Sequence, residues 1–273
     1  MTQLGIIGTG SLGTALLRAA SKFAPEIVLV ASSREPPRIE TLRRDIPALK
    51  AATPEELASD CDLVLLCVSP EAYLPLVDRI AGHLKPGTIL VSVTNSVSLD
   101  TIGRRVSVPV VKIIPTMAHI VGRGNVLLIA GPRARSEHMD SVVAVFAGFS
   151  RPIVIDPSDD RAASNISGSA LALFAALADS FVTANASRAT KLDRRALDAI
   201  MTETLGAIAA LVEAGYSWSE IVRTTATRGG MTEAALHVMM SQFPQIASAM
   251  VDVTFAKQAE IQSRDCASVQ PAS

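Results

Sequence analysis

The first half of the chain alternates short apolar runs with stretches whose hydrophobic residues recur at helical spacing. Continuous aliphatic runs are typical of strands that are buried on both faces of a sheet. Helical stretches between such runs are typical of the crossovers that join parallel strands. The predicted strands are Leu4–Ile7, Ile27–Val30, Leu63–Val68, Ile89–Val93, Val110–Ile114, Val126–Ile129 and Ile153–Ile155. The pattern therefore predicts an α/β domain built on a doubly wound parallel sheet.

After Pro157 the strand pattern ends and helical periodicity continues to the C-terminal tail. The predicted helices are Ser158–Thr190, Asp193–Ala214, Ser217–Thr225, Thr232–Phe243 and Pro244–Gln262. We expect residues 1–156 to form the sheet domain and residues 157–262 to form an all-α domain. Residues 263–273 are small and polar, which is typical of a flexible tail. The segment Ala170–Ala178 is apolar nearly all round, as expected of a helix that packs against another subunit.

Composition excludes several classes of function. The chain is 49% hydrophobic but only 4% aromatic, so the core must be aliphatic and rich in alanine. A formal net charge of -1, without a long basic run, gives no electrostatic footprint for nucleic acid or an anionic membrane surface. The most apolar segment ends at Asp179 and is too short to span a bilayer. The three cysteines have neither a metal spacing nor an even disulfide framework, which favours a cytoplasmic protein.

A G-x-G-x-x-G motif follows the first predicted strand and opens the first predicted helix. It consists of Gly8, Thr9, Gly10, Ser11, Leu12 and Gly13. In a Rossmann domain the first glycine permits a tight turn, the second lets the backbone approach a pyrophosphate, and the third lets the helix lie close to the strand. In this context the motif predicts a dinucleotide site at the positive end of the helix. The alternative is a glycine-rich turn that binds no ligand.

The segment after the second strand bears on the choice of dinucleotide. NAD enzymes usually place an acid here, which binds the ribose 2′-hydroxyl. This chain has Ser32, Ser33 and Arg34 instead, with no carboxylate before Glu35. Two hydroxyls and a guanidinium suit a 2′-phosphate, so we predict NADPH, with NADH as the alternative cofactor. A solvated loop charge is the alternative role for Arg34.

Other predicted cofactor residues follow strands whose carboxyl ends meet at the same edge of the sheet, where ligands bind in open α/β folds. They are Val68, Ser69, Pro70, Thr94, Asn95 and Pro115. Position alone fits plain connecting loops equally well.

Five segments, in order, resemble the pyrroline-5-carboxylate reductase family: GIIGTGSLGTALL, DLVLLCVSP, VVKIIPTMAHIVGRGN, NISGSALALFAALADS and TRGGMTEAAL. The resemblance covers most of the chain and is closer in the nucleotide half than in the substrate half. Ile114–Ala118 replaces the family's Met-Pro-Asn-Thr-Pro, and Gly168–Leu173 replaces Gly-Ser-Gly-Pro-Ala-Tyr. Similar departures occur in divergent relatives that are linked to late competence.

The resemblance implies that NADPH reduces a cyclic imine, with 1-pyrroline-5-carboxylate as the substrate and L-proline as the product. It also implies a homodimer built from the C-terminal helices, with a larger ring of dimers as the alternative assembly. Such imines protonate near neutrality, so catalysis would depend mainly on positioning. Two other interpretations remain open: a reductase of a different imine or ketone on the same fold, and a non-catalytic nucleotide-binding regulator.

The stretch TRGGMTEAAL places two glycines at the start of a predicted helix. Glycines there leave backbone N–H groups approachable, and the positive end of the helix dipole favours an anion. An ordinary turn between helices is the alternative. By resemblance this turn holds the carboxylate of a small imine substrate. The predicted substrate residues are Thr227, Arg228, Gly229, Gly230, Thr232 and, from an earlier segment, Ser169.

Two residues are predicted to act in catalysis, and no metal site is predicted. Thr232 matches a threonine of the family's Ser-Pro-Gly-Gly-Thr-Thr segment. His119 lies in a segment that faces the nicotinamide in that family, and an unshifted imidazole titrates in a useful range for proton donation. A buried or surface histidine without a catalytic role is the alternative.

Overall fold

The computed structural model describes residues 1–268, which divide into two compact units. The first unit comprises Met1–Gly168 and the described residues from Ala256 onwards, and the second comprises Ser169–Phe255. The first unit contains the sheet, and the second is helical.

An eight-stranded sheet forms the centre of the first unit, in the order β3-β2-β1-β4-β5-β6-β7-β8. The strands are β1 (Gln3–Ile7), β2 (Val28–Ser32), β3 (Lys50–Ala51), β4 (Leu63–Leu66), β5 (Ile89–Ser92), β6 (Val110–Ile114), β7 (Asn125–Ala130) and β8 (Arg151–Val154). Strands β1 to β6 are parallel, and the strand order reverses between β1 and β4. The predicted Rossmann-type α/β domain, followed by a helical C-terminal part, is therefore confirmed.

The last two strands depart from the predicted all-parallel arrangement. Strand β7 pairs antiparallel with β6, and β8 pairs parallel with β7. The connection from β6 to β7 holds only a short 3-10 turn, Met117–Val121. A parallel crossover needs a dozen or more residues, so this connection reverses the chain instead.

Helices cover the sheet of the first unit. They are α1 (Ser11–Phe23), α2 (Pro36–Asp45), α3 (Pro54–Asp60), α4 (Pro70–Ile80), α5 (Leu99–Gly103), α6 (Ser136–Ala147) and α7 (Asp160–Ser164). Local sequence explains where α3 begins: Thr53 Oγ1 accepts a hydrogen bond from the Glu56 amide, and Glu56 Oε2 accepts one from the Thr53 amide. This reciprocal capping box satisfies two of the amides that a helix start leaves unpaired.

The apolar core lies on both faces of the sheet. Along β4, Leu63 and Leu65 belong to one hydrophobic cluster, while Val64 and Leu66 belong to the other. Because side chains alternate between faces along a strand, both faces must be apolar. This explains why the strands read as continuous aliphatic runs.

The second unit is built from helices, two of which have a clear capping signal in their sequence. They are α8 (Ala170–Ala186), α9 (Arg194–Glu213), α10 (Trp218–Thr225) and, running on beyond the unit, α11 (Met231–Ser268). The Asp193 carboxylate caps α9 by accepting a hydrogen bond from the Ala196 amide at 2.8 Å. Ser217 and Glu220 form a capping box at α10. Such caps each contribute about 1 kcal/mol to helix stability.

Two helix predictions were wrong in their boundaries. The stretch predicted as one helix, Ser158–Thr190, consists of a 3-10 turn, α7, a π-helical turn at Asn165–Ser169, and α8. The two helices predicted on either side of Pro244 are a single helix, α11. Proline removes one backbone hydrogen bond, and in α11 the residues on both sides of it remain helical.

Helix α11 continues through Ser268, into the segment expected to be a tail. Residues 269–273 of that expected tail lie outside the described residues. The flexibility of the tail at residues 263–273 stays a prediction.

A buried ion pair joins the sheet to α7 within the first unit. Lys112 Nζ on β6 lies 2.6 Å from Asp160 Oδ2, and the two side chains are only 11% and 12% exposed. Ser164 Oγ donates a further hydrogen bond to Asp160 Oδ1 at 3.0 Å. The pair therefore fixes the start of α7 on β6.

Substitution of Asp160 by alanine should lower the free energy of unfolding by about 3 kcal/mol, because it leaves the Lys112 ammonium buried without its partner. Urea denaturation at a fixed protein concentration measures this loss. The exposed pair Arg43–Glu40 is the control, and Glu40→Ala should change the free energy of unfolding by less than about 1 kcal/mol. Similar small losses for both variants would contradict the prediction.

Candidate functional site

A cavity of about 880 Å³ opens at the carboxyl ends of β1, β2 and β4. The strand register brings these ends together, since Ile7 pairs with Ser32 on β2 and with Leu66 on β4. This is the switch point of the sheet, where the strand order reverses and ligands bind in open α/β folds. The volume lies in the range of small-molecule and cofactor sites.

Eight of the predicted cofactor residues line this one cavity. They are Gly8, Thr9, Gly10, Ser32, Ser33, Arg34, Val68 and Ser69. The remaining predicted cofactor residues lie on adjoining strand and helix ends, outside the cavity lining: Ser11, Leu12, Gly13, Pro70, Thr94, Asn95 and Pro115.

The glycines of the motif meet different steric demands. Gly8 has a φ of 105°, and a Cβ there would lie 2.3 Å from the Cys67 carbonyl oxygen. At Gly13 a Cβ would lie 2.0 Å from the Gly8 carbonyl oxygen, so only glycine lets α1 approach the turn. At Gly10 a Cβ would meet no atom within 4 Å. The backbone at Gly10 is therefore open on the side where a side chain would stand. A pyrophosphate needs this open space to come close to the backbone amides.

Helix α1 begins at the cavity with its positive end unneutralised. Gly10 is its N-cap and provides no side-chain hydrogen bond, and its first turn contains no acidic residue. Unpaired amides and the helix dipole together favour a negatively charged group at this position.

A hydroxyl and guanidinium cluster lines one side of the cavity. Thr9 Oγ1 donates to Ser33 Oγ at 2.8 Å, and Ser33 Oγ also accepts a hydrogen bond from the Glu35 amide at 3.2 Å. Arg34 lines the same cavity. The cluster offers hydroxyl donors and a cation where NAD enzymes place an acid.

Sequence reasoning missed Arg38, a second cation of this cluster. Its Nε donates to Glu35 Oε2 at 2.8 Å, and its Nη1 donates to the Thr9 carbonyl at 3.3 Å. The Glu35 carboxylate is thus paired with a guanidinium. Arg38 lies in the first turn of α2, and Arg34 precedes the Glu35 N-cap of the same helix. Prolines at the first helical positions are a sequence signal for a helix start, so Pro36 and Pro37 could have placed Arg38 near Arg34.

A buried tyrosine supports the loop that carries Thr94 and Asn95. Tyr73 Oη on α4 donates to Ser92 Oγ at 2.7 Å, and the Thr94 amide donates to the same oxygen at 3.4 Å. Tyr73 is fully buried, and burial raises the pKa of its phenol. The neutral hydroxyl therefore acts as a donor that holds the end of β5.

His119 is fully buried, and both of its ring nitrogens are engaged within the chain. The Thr116 amide donates to Nε2 at 2.9 Å, and Nδ1 lies 3.1 Å from the Arg123 carbonyl oxygen, to which it donates in this tautomer. Burial lowers the pKa of the imidazole, which favours the neutral ring. This geometry favours a structural role, in which the ring holds the reversal between β6 and β7, over the predicted proton donation.

The predicted substrate residues belong to the second unit. Ser169 ends the π-helical turn before α8, and Thr232 is the second residue of α11. Thr227, Arg228 and Thr232 are exposed.

The turn at Gly229 and Gly230 requires glycine at both positions. Gly229 has a φ of 72°, in the left-handed region. At Gly230 a Cβ would lie 2.5 Å from Thr227 Oγ1.

The sequence predicts that the two glycine amides are free to bind a ligand, but in the structure both already have hydrogen-bond acceptors. The Gly229 amide donates to Glu233 Oε2 at 2.7 Å, and the Gly230 amide donates to the Thr227 carbonyl at 2.9 Å. The sequence places the glycines correctly, but the acceptors depend on the fold of the turn. The role of the turn in substrate binding stays a prediction.

Two family models match the chain. Residues 3–96 match a model described as NADP oxidoreductase, coenzyme F420-dependent, and residues 158–261 match the pyrroline-5-carboxylate reductase dimerisation domain. Pyrroline-5-carboxylate reductase 3 of Bacillus subtilis is 24% identical over 260 residues, which cover 94% of this chain and 96% of that protein. Residues 158–261 therefore carry the dimerisation domain of pyrroline-5-carboxylate reductases, and the chain is similar to these reductases over almost its whole length.

Two further relatives show the breadth of this similarity. ComE operon protein 4 of Bacillus subtilis is 23% identical over 243 residues, covering 88% of this chain and 89% of that protein. The crystal structure of the Plasmodium falciparum pyrroline carboxylate reductase with NADP bound matches with a TM-score of 0.81 at 20% identity, covering 95% of this chain and 98% of that one. The structural likeness establishes the shared fold.

Substitution of Gly13 by alanine should weaken binding of a reduced nicotinamide dinucleotide at least tenfold, because the added methyl group displaces the Gly8 backbone from α1. Titration of the cofactor's fluorescence with the purified protein measures the affinity. Gly82→Ala is the matched control, since a Cβ there meets no atom within 4 Å. Unchanged affinity in the Gly13 variant would show that the dinucleotide does not depend on this turn.

Proposed function

We propose that this protein binds NADPH in the cavity of its first unit and reduces a cyclic imine, with 1-pyrroline-5-carboxylate as the first candidate substrate and L-proline as its product. The observation that carries the proposal is the open backbone at Gly10, at the uncapped start of α1, in a chain similar to pyrroline-5-carboxylate reductases. The names of the relatives support imine reduction, and the neighbour with NADP bound supports the choice of cofactor.

The residues of the first unit suit the parts of NADPH. The turn from Gly8 to Gly13 would hold the pyrophosphate on backbone amides. Arg34 and Arg38, with the Ser32 and Ser33 hydroxyls, would hold the 2′-phosphate through charge-assisted hydrogen bonds. When bound, NADPH supplies the hydride that the imine carbon accepts. The nitrogen keeps the proton that it has already taken from water, so the chain's main task is to orient the two reactants.

The second unit carries the proposed substrate turn. By family resemblance Thr227, Gly229, Gly230 and Thr232 face the substrate, and Arg228 adds a cation that a carboxylate can bind bidentately. The substitution of the family's Pro-Ala-Tyr by Leu171, Ala172 and Leu173 favours a second candidate: reduction of a cyclic imine other than 1-pyrroline-5-carboxylate. We keep residues 1–156 and 157–262 as the proposed boundaries of the cofactor and dimerisation domains.

We infer a homodimer that forms through the helical part of the chain. Helix α8 exposes Leu171, Phe174 and Phe181, each between 48% and 62% exposed in the single chain. Exposed apolar surface of this kind marks a protein interface. The matched dimerisation domain covers this helix, and a larger ring of dimers is the alternative assembly.

One helical run of the described residues, Pro157–Ala186, is long and apolar enough to cross a membrane by length and composition. This run is longer than the apolar segment Ala170–Ala178 that the sequence predicts to be too short, because the π-helical turn joins α7 to α8. A single such helix is weak evidence for a membrane, and burial in a dimer accounts for the same apolar surface. We therefore propose a cytoplasmic protein, without a membrane or nucleic-acid partner.

Oxidation of NADPH by the purified protein tests the proposed function. Turnover with 1-pyrroline-5-carboxylate supports proline synthesis, and turnover only with other cyclic imines supports the second candidate. Tight NADPH binding without turnover of any imine would contradict the proposed reductase and favour a nucleotide-binding regulator.

Arg34→Ala and Arg38→Ala should each weaken NADPH binding about tenfold while leaving NADH binding within about twofold, because only NADPH carries the 2′-phosphate. Fluorescence titration with both cofactors measures the two affinities. Arg44→Ala is the control, since Arg44 is on α2 with Arg38 but outside the cavity lining. An equal loss for both cofactors would contradict a 2′-phosphate site at these arginines.

A further inference from the structure

The proposed substrate turn already contains a carboxylate from the chain itself. Glu233 Oε2 accepts the hydrogen bond of the Gly229 amide at 2.7 Å, and the Glu233 side chain comes from the first turn of α11. The Gly230 amide is taken by the Thr227 carbonyl. Both amides of the glycine pair therefore have acceptors within the second unit.

Glu233 supplies what an anionic ligand would supply at this turn: a hydrogen-bond acceptor for the Gly229 amide and a negative charge at the helix start. A carboxylate that accepts from a backbone amide at a helix start makes a charge-assisted bond and lies at the positive end of the dipole. A ligand carboxylate that used the Gly229 amide would have to displace Glu233. It would also meet the like charge of the displaced side chain nearby.

We propose that Glu233 is a specificity-determining residue: its carboxylate holds the Gly229 amide and disfavours substrates that carry a carboxylate, relative to cyclic imines that carry none. The inference rests on the proposed function, in which this turn faces the substrate. Compared with a turn that lacks this contact, Glu233 shifts the preference of the site towards cyclic imines without an acid group, whichever imine is the main substrate. An anionic imine remains a substrate, with an affinity reduced by the internal competitor.

The first experiment compares two probe substrates, 1-pyrroline and 1-pyrroline-5-carboxylate, with the full-length protein and NADPH. Glu233→Ala should lower KM for the carboxylate substrate about tenfold and leave KM for 1-pyrroline within about twofold, with kcat unchanged for both. Glu233→Gln should lie between Glu233→Ala and the unmodified protein, because its amide oxygen still accepts the Gly229 hydrogen bond but carries no charge.

The control is another carboxylate of the second unit that accepts a hydrogen bond from a backbone amide at a helix start. Glu220 Oε2 accepts from the Ser217 amide at 2.8 Å at the start of α10. Glu220→Ala removes a comparable cap and should leave the ratio of the two KM values unchanged. An equal change of both KM values in Glu233→Ala, or the same change of ratio in Glu220→Ala, would indicate a structural role and overturn the proposal. An unchanged ratio in Glu233→Ala would overturn it as well.

A binding measurement separates this inference from the proposed reductase. Calorimetric titration of the NADPH-loaded protein with L-proline and with pyrrolidine needs no turnover. Glu233→Ala should tighten binding of L-proline about tenfold and leave pyrrolidine within about twofold. If neither imine is reduced, the proposed function fails, and this titration alone decides the role of Glu233. L-Proline affinity that is the same in both proteins would then overturn the inference.

Discussion

The contact between Gly13 on α1 and the Gly8 carbonyl is the constraint on which the nucleotide half depends. A Cβ at Gly13 would lie 2.0 Å from that oxygen, so the helix can start this close to the end of β1 only with glycine there. The close start places the unpaired amides of α1 at the switch point between β1 and β4. The Cys67 carbonyl at the end of β4 in turn leaves no space for a side chain at Gly8. The turn and the opening of the cavity therefore both depend on glycine at these two positions.

The strands and the glycine turn of the first unit could be predicted because short stretches of sequence determine them. Aliphatic runs predict the strands, and the run at β4 is continuous because its residues pack alternately into cores on the two faces. The spacing of Gly8, Gly10 and Gly13 predicts the turn. Eight predicted residues consequently line one cavity, since strand ends in a parallel sheet meet at a single edge.

Other features were missed because they depend on side-chain conformation within a turn or on prolines, neither of which hydrophobic periodicity describes. The reversal at β7 depends on a turn in which the His119 ring bonds to the Thr116 amide and the Arg123 carbonyl, which no periodicity reveals. Arg38 was missed because α2 was not predicted, although the prolines at its first positions are a helix-start signal. The single helix across Pro244 was missed because proline ordinarily ends a helix.

The two helix starts that carry glycines differ in one property that bears on ligand choice. Helix α1 has no side-chain cap and no acid in its first turn, so its positive end is free to attract an external anion. Helix α11 has Glu233 in its first turn, and that carboxylate already bonds to the Gly229 amide. The same backbone chemistry therefore has opposite consequences in the two units. One start selects for a strongly anionic ligand, such as a dinucleotide. The other is neutralised from within by Glu233, so under the role proposed for this side chain the choice of substrate would depend on one residue rather than on the backbone of the turn.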